Sequence, residues 1–228
     1  MDMARAYAQH CGLAHALDLV GERWTLLIVR ELLAGPRRYT DLKDGLISIP
    51  TNVLASRLRE MESGGLIQRR RLPPPASSVV VYELTPDGES LTSAVTELAR
   101  WGMRTLPPIQ GRPLRAHWLV LALQASFDPT AAEGVKETYE FTIESDDVVS
   151  FDVTDGEGQA RMGAARDAAV RIKADADTLA GLMAGELEGA EALRRGALVD
   201  GSASAITRMR QVLPHRRREP TPIGVADV

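Results

Sequence analysis

The sequence predicts an α+β protein built as an N-terminal winged helix-turn-helix domain followed by an α+β antiparallel-sheet domain. Three observations predict it. Between Arg38 and Glu89 the chain reads helix, turn, helix and hairpin, in that order. The stretch Pro107-Pro108-Ile109-Gln110-Gly111-Arg112-Pro113 then has the composition of a linker. Beyond it, Tyr139, Phe141 and Ile143 alternate with polar residues, and Val149, Phe151 and Val153 do so again. The expected division is a DNA-binding and dimerisation domain over 1–107, a linker over 108–113, a second domain over 114–213 and a disordered tail over 214–228.

In chain order, residues 4–19 carry one or two short helical patterns broken near Gly12. Cys11 is the only cysteine of the chain, which excludes an internal disulfide and suits a reducing compartment. His10 and His15 flank it, but no further cysteine or clustered histidine completes a metal site, so no metal and no cofactor is expected. Two readings of Cys11 stay open: a small buried side chain, or a thiol that senses oxidants or electrophiles. From Glu22 to Leu33 the apolar residues circle the helix, as in an element buried on nearly all sides. Gly35-Pro36 ends it, and Arg37 and Arg38 follow where a first helix meets a DNA backbone.

Tyr39 to Lys43, with Thr40 a candidate DNA contact, forms a short segment that turns through Gly45 into a helix from Ile49 to Ser63. At 100° per residue, Ile49, Val53, Leu54, Leu58 and Met61 share one face. Asn52, Ala55, Ser56, Arg59 and Ser63 share the other, with Thr51 and Glu62 at its border. Small and hydrogen-bonding side chains on a helix let it enter a major groove and read base edges. Arg57 falls on the apolar side and is expected to pair with a carboxylate. Gly64-Gly65 stops the helix, and a strand carries Arg69, Arg70 and Arg71 to a proline-rich tip with Ser77 and Ser78. The returning strand, Val79 to Leu84, is expected to bury Val80, Tyr82 and Leu84 in alternation. Arginines flanking a hairpin tip suit phosphate contacts beside the groove. A charged, proline-guarded edge strand would explain the arginines but not the helix before them.

Thr85-Pro86 starts a helix expected to run to Leu106. Its stripe of Leu91, Val95, Leu98 and Leu106 needs a partner, and a second subunit is expected to supply it. In the second domain, Leu114 to Phe127 reads as helix with Trp118, Leu121, Ala122 and Ala125 on one face. Asp146-Asp147 and Asp155-Gly156 fit turns, Val170 and Ile172 a further strand, and Asp175 or Asp177 the cap of a helix bearing Leu179, Leu182 and Met183. A last helix carries Ile206, Met209, Val212 and Leu213.

The net charge of −4 divides unevenly. Residues 1–107 hold 13 Lys and Arg against 12 Asp and Glu, whereas residues 108–213 hold 11 against 17. A near-neutral first half with local arginine clusters can grip phosphate in a salt-sensitive way. With no apolar run of about 18 residues and no leader, the expectation is a soluble cytoplasmic protein that does not meet a membrane.

The first half resembles the HxlR-type winged helix-turn-helix regulators. The residues that carry the likeness are Val20 to Ile28, Glu31 to Tyr39, Leu54 to Ile67 and Tyr82 to Gly88. The resemblance implies a homodimeric regulator of transcription that binds double-stranded DNA. Some members sense oxidants through an N-terminal cysteine followed by proline, whereas here Gly12 follows Cys11. Pro50 replaces the usual helix-start serine, with Ser48 two residues earlier. Residues 115–213 resemble the sterol carrier protein type 2 fold through Tyr139 to Ile143, Ala174 to Leu179 and Gly196 to Gly201. That likeness implies a space for a small apolar effector between sheet and helices, with Trp118, Leu121, Tyr139, Phe141, Phe151 and Leu182 as candidate lining residues. No phosphate loop, nucleophile elbow or metal cluster points to an enzyme. The alternative reading is a carrier of apolar ligand whose winged domain serves only to dimerise.

Overall fold

The computed structural model describes residues 6–76, 78–107, 111–143 and 147–214. It forms two compact units, Met1–Val95 and Thr96–Val228. The division falls within the helix Thr92–Met103, N-terminal to the stretch 107–113.

The first unit opens with α1 (Gly12–Val20), which starts at the glycine where a break was expected. α2 (Thr25–Leu33) buries Ile28, Val29 and Leu32, while Leu27 is exposed, so this helix is open on one side. α3 (Tyr39–Gly45) and α4 (Thr51–Ser63) follow. The buried face of α4 is Leu54, Leu58 and Met61, with Ile49 buried just ahead of it. These residues recur at three and four positions, which is the spacing that keeps one helical face on a core. Gly64 caps α4 and Gly65 takes φ +76°, a left-handed turn that glycine adopts without a Cβ penalty.

β1 (Ile67–Arg71) and β2 (Val80–Leu84) pair antiparallel, with Arg69 opposite Tyr82 and Arg71 opposite Val80. Val81 is buried and Val80 is 39% exposed, so the expected alternation of Val80, Tyr82 and Leu84 does not hold along the strand. The ribbon leaves the core as it runs to its tip: Leu84 at the base is covered, Tyr82 is half covered and Val80 is not. Arg37 adds a bridge at the hairpin's side, exchanging both backbone hydrogen bonds with Tyr82 at 2.9 and 2.7 Å.

The helix expected over Pro86 to Leu106 is two helices, α5 (Pro86–Ser90) and α6 (Thr92–Met103). Thr85 caps α5 by accepting from the Gly88 N–H at 3.1 Å. A Cβ on Gly88 would stand 2.0 Å from the Leu66 carbonyl oxygen, so α5 lies against the start of the wing only because this residue has no side chain.

The second unit has a five-stranded sheet in the order β5-β4-β3-β6-β7. Its elements are α7 (Ala116–Ser126), β3 (Lys136–Ile143), β4 (Val148–Thr154), β5 (Glu157–Met162), β6 (Val170–Ala174), α8 (Ala176–Met183), α9 (Gly189–Arg194), β7 (Leu198–Gly201) and α10 (Ala203–Val212). β3 and β6 pair parallel and the other pairs are antiparallel, so the sheet is mixed where a meander was expected. Tyr139, Phe141, Ile143, Val149, Phe151, Val153, Val170 and Ile172 are all buried, as their alternation predicts. β5, β7 and α9 carry weaker apolar patterns and were not anticipated. α7 turns a different face inward from the one expected: Leu119, Val120 and Leu123 are buried, whereas Trp118, Leu121 and Ala122 are half-exposed. Its sequence is apolar on every side, so periodicity does not choose a face. The Gln124 side chain then fixes the helix to β5, donating to the Gly158 carbonyl at 3.0 Å and accepting from the Ala160 N–H at 2.8 Å. Asp175 caps α8 through the Thr178 N–H at 2.8 Å.

Candidate nucleic-acid interface

Two side chains of α3 set the start of α4. Tyr39 donates from its hydroxyl to the Thr51 carbonyl at 3.1 Å, and the Lys43 ammonium donates to the Ile49 carbonyl. Pro50 is the N-cap residue, extended and without a side-chain cap, and Ser48 sits upstream at φ +70°. Behind α3, the buried Glu31 carboxylate lies where a Cβ on Gly45 would stand, 2.0 Å from it. Arg30 pairs with Glu31 at 2.6 Å, although burial draws the Arg30 guanidinium below its ordinary range.

Thr51, Asn52 and Arg59 are exposed on α4, and Arg59 donates from Nε to the Ala55 carbonyl at 3.2 Å. Ser56 is half-buried and gives its hydroxyl proton to Glu60 at 2.9 Å. Arg57 is a structural arginine, as its angle on the helix predicts: it is 13% exposed and pairs with Glu22 at 3.2 Å and with Glu60. Thr40 and Arg38 are exposed, and the Arg38 N–H donates to Asp41 at 3.0 Å. Arg37 is half-buried by its bridge to Tyr82.

The three wing arginines part company. Strand alternation puts Arg69 and Arg71 on one face and Arg70 with Gln68 on the other. Arg69 pairs with Glu62 of α4 at 2.9 Å, which ties the wing to the helix and holds the guanidinium above its usual pKa. Arg70 pairs across the strand with Glu83 at 2.8 Å. Arg71 is exposed and has no acidic partner among the described residues. Ser78 is exposed at the tip, and Ser77 lies outside the described residues, as do Asp146, residues 108–110 and residues 215–228. The carboxylates of Glu60, Glu62 and Glu83 are what inspection of the arginines alone missed. The signal was present in the hairpin register, which sets Glu83 opposite Gln68 and diagonal to Arg70.

A model of the HxlR-like helix-turn-helix family matches residues 19–110. The regulator YvaP of Bacillus subtilis is 31% identical over 93 residues, which cover 41% of this chain and 85% of YvaP. The chain belongs to the HxlR-like helix-turn-helix family. A second relative, the uncharacterized HTH-type transcriptional regulator Rv3095 of Mycobacterium tuberculosis, is 44% identical over 103 residues, 44% of this chain. The chain spans 62% of the length of that relative. The solved reduced form of the transcriptional regulator YodB from B. subtilis is 31% identical, covers 44% of this chain and 98% of its own, and has a TM-score of 0.37. In this HxlR-like chain a further model, the SCP-2 sterol transfer family, matches residues 120–214.

That second region encloses a cavity of about 90 Å³ between the sheet, α7 and the helices that follow β6. Phe141 and Leu182 line it, as anticipated. Trp118, Leu121, Tyr139 and Phe151 do not. Tyr139 and Phe151 are fully buried in the packing of the sheet itself, Phe151 against Phe127 at 5.4 Å between ring centroids. Burial first, and then the acceptor Glu137 at 2.9 Å, push the Tyr139 hydroxyl far above its usual pKa, so it stays a neutral donor. Cys11 is exposed at the start of α1, where the Ala14 and Leu13 N–H groups hold its thiol below the ordinary range. No helix among the described residues is long and apolar enough to cross a membrane.

Proposed function

We propose that the protein is a dimeric, cytoplasmic regulator of transcription that inserts α4 into a DNA major groove and responds to a small ligand held in its second unit. The observation that carries the reading is the exposed face of α4, with Thr51, Asn52 and Arg59, joined through the Arg69–Glu62 pair to the Arg71 side of the wing. Thr51 and Asn52 are short and lie in the first turn, where a helix entering a groove makes its base contacts. Arg38, Thr40, Arg71 and Ser78 are placed to hold phosphates on either side, and the uncapped N–H groups at the start of α4 offer a further phosphate contact. Neither unit is assigned a catalytic step.

The test is selection of sites from a randomised duplex pool, followed by gel-shift titration of wild type and Arg59→Ala. Arg59→Ala is expected to lose about tenfold or more in affinity for the selected site, with its thermal unfolding unchanged. Equal affinity of the two proteins removes the groove assignment. Cys11 supports a second input: its exposed thiol is expected to react with iodoacetamide at neutral pH faster than an unstructured cysteine peptide does. An equal or slower rate leaves the cavity as the only input.

A further inference from the structure

Along the outward row of α4, some polar groups are already spent within the protein and others are not. The Ser56 hydroxyl is given to Glu60 at 2.9 Å, and beside the row Arg57 is held by Glu22 and Glu60. Asn52 is exposed, and its amide has no hydrogen-bond partner among the described residues. Arg59 is exposed, and no carboxylate among the described residues pairs with it. We propose that α4 reads an adenine through Asn52 and a guanine through Arg59, about two to three base pairs apart in each half-site. This rests on the reading of α4 as the groove helix and adds the identity and spacing of the bases.

The chemistry of each side chain selects its base. An amide offers an acceptor and a donor side by side. In the major groove only adenine presents the complementary pair on one base, its N7 acceptor and its N6 donor. A guanidinium offers donors only, so the amino groups of adenine and cytosine repel it, whereas guanine accepts twice, at O6 and N7. Arg59 Nε is occupied by the Ala55 carbonyl at 3.2 Å, which leaves the two terminal nitrogens as the free edge of the fork. The same bond restrains the side chain before DNA arrives, so less freedom is lost when the fork engages. Ser56 drops out as a reader because Glu60 takes its proton, which its place on the helical face alone does not reveal.

Spacing follows from the helix. Asn52 and Arg59 stand seven residues apart, close to two turns, so they share one face. At a rise of about 1.5 Å per residue they lie about 10 Å apart along the axis. A duplex rises about 3.4 Å per base pair, so that separation covers about three pairs, and fewer along the slope of the groove. Ala55 lies between them and ends at its Cβ, so it lets the backbone approach and both longer side chains reach base edges.

The experiment uses the full-length protein. Duplexes selected from a randomised pool are expected to carry the adenine and the guanine at this spacing in each recurring half-site. In the selected duplex, 7-deazaguanine at the assigned guanine removes N7 and keeps the base pair. It should weaken wild type by about fivefold or more and leave Arg59→Ala unchanged. 7-Deazaadenine at the assigned adenine should weaken wild type similarly and leave Asn52→Ala unchanged. Both side chains are exposed, so both variants should melt with wild type, and the deaza duplexes test the wild-type protein in any case. Selected sites that lack the two bases at this spacing overturn the assignment, as does a deaza penalty equal in wild type and the matching variant. A guanine N7 that wild type does not need, with Arg59→Ala weaker on every sequence, makes Arg59 a phosphate contact and also overturns it. In each of these cases DNA binding itself stands. A pool that yields no preferred sequence overturns the groove reading and the base assignment together.

Discussion

Glu62 and Glu83 decide how many of the arginines on β1 are free to meet a phosphate. Arg69 and Arg70 each spend charge on a carboxylate, whereas Arg71 does not. A phosphate contact releases condensed counterions, and each one adds about one unit to the dependence of log affinity on log salt. Arg71→Ala is therefore expected to reduce that slope by about one, measured by gel shift between low and physiological salt. Arg70→Ala, on the opposite strand face, should leave it unchanged. A slope that falls for Arg70 and not for Arg71 would reverse the wing's assigned face. Glu62→Gln makes the complementary case: freeing Arg69 should raise affinity for all duplexes without changing the preference among them. Proximity in sequence made the three arginines look like one patch, and the two-residue period of a strand divides them.

Elements were legible in the sequence where their pattern had one solution. α4 was readable because its apolar residues occupy one face and Gly64-Gly65 follow, and β3, β4 and β6 because apolar residues recur at every second position, although in β4 Ser150 is buried as well. α7 was not, because apolar residues on every side leave its inward face to be chosen by Gln124 and the sheet. The break at Leu91 was missed because nothing local forbids helix there; the contact of Gly88 with the Leu66 carbonyl, distant in sequence, fixes α5. Gly88→Ala should then cost about 1–3 kcal/mol through overpacking, seen as a lower unfolding midpoint in denaturant. No change would mean that α5 can move without loss. The cap of α8 makes a pH-dependent case. Hydrogen bonds from the Thr178 side chain and N–H hold the Asp175 carboxyl below the usual carboxylate range. A depressed folded pKa adds stability above the unfolded value and loses it as the pH falls through the folded one. Asp175→Ala should therefore destabilise the protein at neutral pH by about 1 kcal/mol, as loss of an N-cap does, and by less as the pH falls below 4. A difference that stays constant to the lowest pH would exclude the carboxylate as the cause.

At the scale of the whole molecule, the acidic excess lies in the second half and leaves the first near neutral, so the proposed DNA affinity would come from placing two α4 helices together instead of from net charge. On the proposed reading one α4 meets one half-site, and two related by a two-fold axis meet half-sites about 34–36 Å apart and share one encounter. α6 exposes Leu98 at 50% and Trp101 at 61%, three residues apart and hence on one face, and Leu106 beyond its end is exposed at 58%. Burying a large apolar side chain fully stabilises by about 1.5–3 kcal/mol, which makes this face the one on which the proposed dimer is expected to form. Trp101→Glu should convert the protein to a monomer at micromolar concentration, measured by sedimentation, with its circular dichroism unchanged. Its affinity for a two-half-site duplex should fall to that for a single half-site, because the second recognition helix is no longer tethered. A Trp101→Glu protein that sediments as wild type and still favours paired half-sites would move the subunit interface away from α6, while one that is monomeric yet binds paired sites at full strength would separate DNA recognition from dimerisation altogether.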